Sequence, residues 1–206
     1  MREDVSTDLT RSARDFLRWV WPVIAPSLGG GDIYPVEFTE RGAGPHRNLF
    51  QAFDFAGIDA WHYHTASGRL RGLSSRVQWC PRAVPFDTFS IRWSRPGGQA
   101  TEISKQLAAL DDGRWGAAGP ALTIQAYLDG DNRRASCRPA TRVLSVGLIR
   151  TADLYRYIQL YGLDDVNEIT NGDASSTFKP VAWSRLRASG VQMKIFQGDA
   201  SAAVRA

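Results

Sequence analysis

Length and composition are those of a single globular domain. The chain has 206 residues, of which 43% are hydrophobic and 22% charged, and its formal net charge is +4. No run approaches the roughly 18–20 apolar residues that span a bilayer, the N-terminus is too polar for a secretory signal, and two distant cysteines exclude a disulfide framework. We therefore expect one cytoplasmic domain over residues 1–206, without a membrane partner and with a frayed tail from about residue 197.

The first half of the chain predicts one helix followed by strands. Apolar residues at helical spacing predict a helix over 9–24, which Pro22 should end or kink. Pro35 confines the next strand to a sheet edge or a bulge. The turn TASG joins two later strands into a hairpin. The strands predicted in this half are 32–38, 57–64, 69–79 and 88–93.

The second half predicts helices among further strands. Thr101 is a suitable cap for a helix over 101–110, and Thr151 for a helix over 151–162. The strands predicted in this half are 121–128, 142–149, 177–183 and 191–196. This order of elements predicts an α/β fold in which a mixed central sheet is flanked by helices.

Positive charge is concentrated between residues 67 and 95. This segment has six arginines and a single acidic residue, Asp87, a balance of +5 in a chain that is +4 overall. The planar guanidinium suits phosphate, which makes nucleic acid the expected partner. A genome rich in G and C would explain the preference for arginine over lysine, but it would not explain the clustering. The arginines of the segment are Arg69, Arg71, Arg76, Arg82, Arg92 and Arg95.

The predicted hairpin has the residues that metal-assisted phosphodiester cleavage uses. In DFAGIDAWHYHTASGRLRGLSSRVQW, residues 54–79, the first strand holds a lone carboxylate, Asp59, and the second ends in polar residues that include Arg76. Mg²⁺ needs hard oxygen ligands, usually more than one carboxylate, and a nearby cation assists at the phosphate. Adjacent strands place such side chains on one face of a sheet.

The motif GIDAW followed by RGLSSRVQW resembles the PD-(D/E)xK nuclease superfamily, and more narrowly its Mrr-like members. In that group a Gly-Ile-Asp strand supplies the metal-binding Asp, and the next strand supplies Glu or Gln, a spacer and Lys. The resemblance covers residues 9–128 in order of elements and about 25 residues in motif. It implies a restriction-endonuclease-like fold, with Asp59 as a ligand of Mg²⁺.

The second motif departs from this pattern in either register. If Arg76-Val77-Gln78 fills it, Arg76 stands at the ligand position and Gln78 at the lysine position. If Ser74-Ser75-Arg76 fills it, serine is a weak ligand and Arg76 is the cation. Either way an acidic ligand is missing, and one from outside the hairpin would have to replace it. The candidates are Glu37, Glu40 and Asp54, of which Glu37 is the predicted metal ligand.

Two hypotheses about function remain open. The first is a DNA-binding protein with a nuclease-like fold. In it, Asp59, Arg76 and Gln78 form the candidate catalytic site, and metal-dependent phosphodiester cleavage is the candidate activity. The second is a non-catalytic module, or a subunit of a homodimer or larger assembly, whose arginine-rich hairpin grips nucleic acid or an acidic protein. In the first hypothesis, four arginines steer the phosphate backbone. They are Arg69, Arg71, Arg92 and Arg95.

Two smaller patterns have competing interpretations. His62 and His64 share one side of a strand and could bind zinc with Cys80 or His46, although a structural role is the more common outcome. The chain also contains seven tryptophans, which beside arginine could stack unpaired bases but individually are more often core residues.

Overall fold

The computed structural model describes residues 10–36, 57–98, 101–111, 119–133, 137–171 and 176–198. The fold is mixed α/β. Its strands are β1 (Asp32–Pro35), β2 (Ala60–His64), β3 (Arg69–Cys80), β4 (Thr88–Ser94), β5 (Leu122–Asp129), β6 (Val143–Arg150), β7 (Ile169–Thr170), β8 (Thr177–Ala182) and β9 (Met193–Gln197). Its helices are α1 (residues 10–28), α2 (Glu102–Asp111), α3 (Thr151–Tyr161) and α4 (Trp183–Ala188).

Six strands form the predicted mixed sheet, in the order β1-β2-β3-β5-β6-β9. The predicted hairpin is confirmed: β2 and β3 are antiparallel neighbours, with Ala60 opposite Leu73 and His64 opposite Arg69. The β3–β5 pair is parallel, whereas the other neighbours in this sheet are antiparallel. The connection from β3 to β5 contains β4 and α2.

A second sheet, which the sequence did not predict, has the order β4-β8-β7. The strand predicted at 88–93 exists as β4, but it pairs with β8 and not with the hairpin. The strand predicted at 177–183 ends at Ala182, because Trp183 begins the short helix α4. The small sheet packs over β5 and β6, where Phe89, Tyr127 and Trp183 share one buried cluster.

The six-stranded sheet has a buried core on each face. On one face, Phe16, Val20 and Ile24 of α1 pack against alternate residues of β2, β3, β5 and β6. We call this the α1 face. The other face packs against the small sheet and the remaining helices, and α2 contributes Ile103 to this core. α2 was expected to pack on the large sheet, but its main contacts are with β4 and α3.

Pro22 neither ends α1 nor breaks it. The helix has a π-helical segment, Phe16–Val20, continues through Trp21–Ile24, and finishes as a 3₁₀ turn, Ala25–Leu28. Proline has no N–H to donate to the preceding turn, and a local π-helical widening is one way to accommodate that loss. Gly29 then takes a left-handed conformation and ends the helix.

The two predicted helix caps have different outcomes. Before α2, the Thr101 carbonyl accepts hydrogen bonds from the Lys105 N–H and the Ser104 hydroxyl, so the helix starts where predicted. Before α3, the cap position belongs to Arg150, and the predicted cap Thr151 is already helical. The Thr151 hydroxyl accepts a hydrogen bond from the Thr123 hydroxyl at 3.0 Å instead.

Two boundary findings complete the fold. β9 extends through Gln197, and the Gly198 N–H donates to the Leu144 carbonyl, so residues 197 and 198 belong to the sheet and not to the predicted tail; residues 199–206 lie outside the described ranges. Within the described ranges, no helix combines the length and apolar character needed to cross a membrane.

Candidate nucleic-acid interface

Asp59 lies immediately before β2, where the chain enters the hairpin. Its backbone N–H donates to the Leu73 carbonyl at 2.8 Å, and its own carbonyl accepts from Val36 at 2.9 Å. The exposed carboxylate accepts hydrogen bonds from the backbone N–H of Ser75 at 2.6 Å and from the Ser74 hydroxyl at 3.4 Å. The carboxylate therefore satisfies an N–H of β3 just beyond the last β2–β3 pair, which is a structural role.

The position of Asp59 distinguishes the two registers of the second motif. Alternate residues of β3 project from one face, and that face carries Ser74, Arg76 and Gln78. Asp59 touches Ser74, so the register Ser74-Ser75-Arg76 is the one that lies beside the carboxylate. Gln78 lies four residues further on, about 13 Å along the strand. The structure does not bring the predicted catalytic residue Gln78 to Asp59.

Arg76 lies between the two sheets. Its Nη1 donates a hydrogen bond of 2.6 Å to the Ser90 carbonyl on β4, and its guanidinium lies 4.9 Å from the ring centroid of Phe178 on β8. Its neighbour on β5, Gln125, accepts a hydrogen bond from the Ser90 N–H at 3.3 Å. We call this contact between β4 and the face of β3 and β5 the seam. Side chains of one sheet thus hold backbone groups of the other.

The same arrangement repeats two residues earlier on β4. The Tyr127 hydroxyl donates to the Thr88 carbonyl at 2.8 Å and accepts from the Thr88 N–H at 3.3 Å. Burial raises the pKa of the Tyr127 phenol, which therefore remains protonated and able to donate. β8 places Pro180, which has no N–H, opposite Ser90. The polar groups of Thr88 and Ser90 therefore face the large sheet.

Arg92 follows in the same series. Thr88 is bonded to Tyr127, and Ser90 is bonded to Gln125, so β4 runs antiparallel to β5. Continuing this register by two residues along each strand brings Arg92 alongside Thr123. Thr123 is the β5 neighbour of Ser74, the residue that Asp59 contacts. The guanidinium of Arg92 lies 5.9 Å from the Phe178 centroid. Arg76 and Arg92 therefore lean on one ring, at the end of the seam nearest Asp59.

The four predicted phosphate-steering arginines do not form one cluster. Arg69 and Arg71 pair with His64 and His62, and the buried His62 assigns this row to the α1 face. Arg92 lies on β4 of the second sheet, and Arg95 directly follows that strand. Sequence reasoning missed the pair that the structure does form, Arg76 with Arg92, because it depends on Phe178, 86 residues further along the chain.

The predicted metal ligands fall partly outside the described ranges. Glu37, Glu40 and Asp54 all lie there, so Glu37 as a ligand and Mg²⁺ as a cofactor stay predictions. Among the described residues, no group of three or more His, Cys, Asp or Glu side chains is placed to hold a metal ion.

The histidine pair has structural partners. His62 is buried, and its Nε2 lies 2.7 Å from the Gly30 carbonyl oxygen, while Nδ1 of His64 lies 2.6 Å from the Ser67 hydroxyl. Cys80, proposed as a third zinc ligand, is nine residues beyond the β3 partner of His62, about 30 Å along the strand.

No protein-family model, curated protein or solved structure matches this chain. The resemblance of the hairpin motif to PD-(D/E)xK nucleases stays a prediction.

The hairpin and β1 also expose two tyrosines, Tyr34 and Tyr63, that sequence reasoning did not single out. Tyr34, Tyr63 and Leu70 are among the exposed large apolar side chains, and the partly buried Trp61 lies between them. Tyr34 pairs with Trp61 and Tyr63 with Leu70, so all four project from the face that carries Arg76, opposite the α1 face. We call this surface the hairpin platform. The alternation of Trp61 and Tyr63 with two histidines was the available signal.

Proposed function

We propose that this protein binds nucleic acid, DNA in the first instance, at the end of the seam next to the hairpin, where Asp59 contacts Ser74 and where Arg76 and Arg92 lie beside Phe178. The observation that carries the proposal is that the guanidiniums of Arg76 and Arg92 both lie against the Phe178 ring. Each guanidinium brings a permanent positive charge to this ring, and guanidinium groups form strong charge-assisted hydrogen bonds with phosphate oxygens.

The order of elements supports a restriction-endonuclease-like architecture as part of this proposal. Helix α1 precedes the hairpin, α2 follows it, and β5 then pairs in parallel with β3. The resemblance to PD-(D/E)xK nucleases rests on the same order of elements, with one helix before the first strand of the hairpin and another helix after the hairpin. The second sheet lies beyond what that resemblance covers.

The side chains favour binding over cleavage. Ser74 stands where the resemblance expects an acidic or amide ligand, and a neutral hydroxyl is a poor substitute for carboxylate at Mg²⁺. Arg76 stands where a lysine is expected, and it already donates to Ser90. Both departures weaken a catalytic site while leaving positive charge for phosphate.

Mg²⁺-dependent cleavage is the second candidate. The observation that favours it is the exposed carboxylate of Asp59 at the same end of the seam as Arg92. In this proposal Asp59 would hold the metal ion with a second carboxylate from outside the hairpin, for which Glu37 is the predicted residue. The arginines would stabilise charge on the phosphate.

Fluorescence anisotropy with a labelled DNA duplex tests the proposal. Each phosphate contact contributes about 0.9 to the slope of log affinity against log salt, so Arg92→Gln should flatten the slope by about one unit. Arg142→Gln, which removes an exposed arginine outside the seam, should leave it unchanged. Equal slopes for the two variants would refute the proposed interface. Displacement of the duplex by polyglutamate at equal charge would favour an acidic protein as the partner.

A further inference from the structure

A buried imidazole lies where the end of α1 and the start of β1 meet the hairpin. His62 is 0% exposed, and its ring lies edge-on to Trp21 of α1, with 5.1 Å between the ring centroids. Its Nε2 lies 2.7 Å from the Gly30 carbonyl oxygen. A carbonyl oxygen only accepts hydrogen bonds, so Nε2 carries the proton of the neutral ring. The other nitrogen, Nδ1, then has the lone pair.

Nδ1 of His62 is an exception among buried polar atoms. It is buried and has no hydrogen-bond partner among the described residues. Most buried polar atoms are paired, so an unpaired one calls for an explanation. A protonated ring has an N–H at both nitrogens, and the one at Nδ1 would be buried here without an acceptor. The folded structure therefore accommodates the neutral ring of His62 better than its cation.

The charged groups around His62 do not offset a positive charge on its ring. Its partner on β3 is Arg71, and the ring of His64 lies 6.3 Å away between centroids. Asp32 of β1 pairs with Tyr63, so it projects from the opposite face of the sheet. The charged residues of α1 in its described range are Arg11, Arg14, Asp15 and Arg18. Among the described residues, no carboxylate forms an ion pair with His62.

The single acidic residue of α1 is engaged elsewhere. Asp15 accepts a hydrogen bond of 2.7 Å from the Trp79 indole, and Trp79 lies eight residues beyond Arg71 on β3. Arg18 lies against Trp19, with its guanidinium 4.9 Å from the ring centroid. Protonation of His62 would therefore add a cation beside Arg71 without a compensating anion.

The loop that His62 holds is built to lie directly on the hairpin. Gly31 has a φ of 109°, and a Cβ there would lie 2.2 Å from the Tyr63 carbonyl oxygen and 3.0 Å from Nε2 of His62. A Cβ on Gly29 would lie 2.6 Å from Nε2 of His64. Glycine therefore allows the backbone of residues 29–31 to approach both histidines.

The loop leads straight into the edge strand β1. Ile33 of β1 pairs with His62, and the Val36 N–H at the end of β1 donates to the Asp59 carbonyl at 2.9 Å. The bond from His62 to Gly30 therefore anchors the start of a strand that ends at Asp59.

We propose that His62 is a pH-sensitive latch, whose neutral ring holds residues 29–31 and β1 on the hairpin and whose protonation releases them. Water can reach Nδ1 only if the ring leaves its site, and this movement breaks the bond to Gly30. Because the unfolded chain accepts the proton freely, the stabilisation is fully present above about pH 6.5 and is lost as pH falls below it. The latch goes beyond the proposed function and does not depend on it.

Urea unfolding at about pH 7.5 and about pH 5.5 tests the latch, because these values lie on either side of the usual histidine titration. The unfolding constant of the wild type should rise by roughly tenfold at the lower pH, as expected for one proton taken up on unfolding. His62→Gln retains an N–H for the Gly30 carbonyl but does not titrate. Its unfolding constant should therefore change by less than about twofold between the two pH values.

The small number of histidines provides a matched control. The chain has three, His46, His62 and His64, so the double variant His46→Gln/His64→Gln retains His62 alone. This variant should keep the pH dependence of the wild type. It carries the test by itself if His62→Gln does not fold.

Two further measurements locate the effect. Long-range ¹⁵N–¹H correlation spectra at the higher pH should show the proton of His62 on Nε2, as its bond to Gly30 requires. Amide hydrogen exchange, corrected for its intrinsic pH dependence, should accelerate at the lower pH in β1 more than in β5 or β6.

Three outcomes would overturn the latch. They are a wild-type unfolding constant that is equal at the two pH values, a pH dependence that the double variant loses, and a neutral His62 ring with its proton on Nδ1. None of these measurements uses a ligand, so they leave the test of nucleic-acid binding independent.

Discussion

The guanidinium of Arg76 donates a hydrogen bond of 2.6 Å to the Ser90 carbonyl, and this bond links the two sheets. Arg76 therefore has a structural role whatever it does for a ligand. The same is true of Asp59, which caps the Ser75 N–H. Experiments at this site must separate loss of folding from loss of function.

Arg76→Met should lower the free energy of unfolding by about 1.5–3 kcal/mol, because a hydrogen bond from a charged donor is lost and Ser90 is left without it. Urea unfolding at neutral pH measures this change. Arg142→Met, an exposed substitution, should change stability by less than about 0.5 kcal/mol. Equal transition midpoints for the two variants would show that the bond contributes little.

Asp59→Asn should keep the fold, because the amide oxygen can still accept the Ser75 N–H. If Asp59 holds a divalent cation, this variant should lose plasmid nicking with Mg²⁺ and Mn²⁺ while keeping duplex affinity. The exposed Asp164→Asn serves as the control. Nicking by Asp59→Asn at the wild-type rate, or none by the wild type with either cation, would eliminate the catalytic candidate and leave the binding one.

The two pairs of predicted phosphate-steering arginines should differ in their effect on salt dependence. Replacing Arg92 and Arg95 by Gln should flatten the slope on duplex DNA by up to about 1.8 units, or about 1.4 on single strands. Replacing Arg69 and Arg71 should have a smaller effect, because they belong to the row on the α1 face. A salt series monitored by anisotropy compares the two. Equal flattening would mean that the ligand contacts both faces of the hairpin.

Asp129 should make stability depend on pH. Burial alone would raise the pKa of this carboxyl, but hydrogen bonds from the Thr141 hydroxyl at 2.5 Å, the Thr141 N–H at 2.7 Å and the Arg142 N–H at 2.8 Å outweigh burial and lower it. A lowered pKa in the folded state means that the unfolded state binds the proton more readily. The stabilisation is therefore present above the ordinary pKa of about 3.9 and is lost as pH falls through the folded value.

Thr141→Val tests this dependence, because it removes one hydrogen bond to the Asp129 carboxylate. It should lower the free energy of unfolding by about 1.5–3 kcal/mol at pH 7 and by less below about pH 4. Urea unfolding at both pH values measures the difference. Thr170→Val, on the exposed strand β7, should show no such pH dependence. A destabilisation by Thr141→Val that is constant with pH would contradict the role of Asp129.

The hairpin was predictable because its information is local. Polar and apolar residues alternate through β2 and β3, and the turn between them contains Gly68, which takes a positive φ of 64°. The same local signals located β5, β6 and α3 to within one or two residues. The contact of Asp59 with Ser74 follows from the hairpin register, so this part of the candidate site was also within reach.

The seam was not predictable because it depends on distant pairing. β4 alternates in the same way whether it joins the large sheet or a small one, and its partner β8 lies more than 80 residues away. Helix α4 depends equally on tertiary structure, because Trp183 packs over Gly147, where a Cβ would lie 2.6 Å from the Trp183 ring. The sequence does not show these tertiary contacts, so it could not predict that the Arg76 side chain reaches Ser90 and Phe178.

Side chains of β3 and β5 that bond to β4 also prevent β4 from pairing with strands of other molecules. β4 is one of the two edge strands of the small sheet, and an edge with unsatisfied N–H and C=O groups can pair with strands of other molecules. Tyr127, Gln125 and Arg76 occupy those groups at Thr88 and Ser90. Loss of these side chains would open a template for strand addition. Aggregation during expression or refolding would then reveal the damage before any ligand-binding assay did.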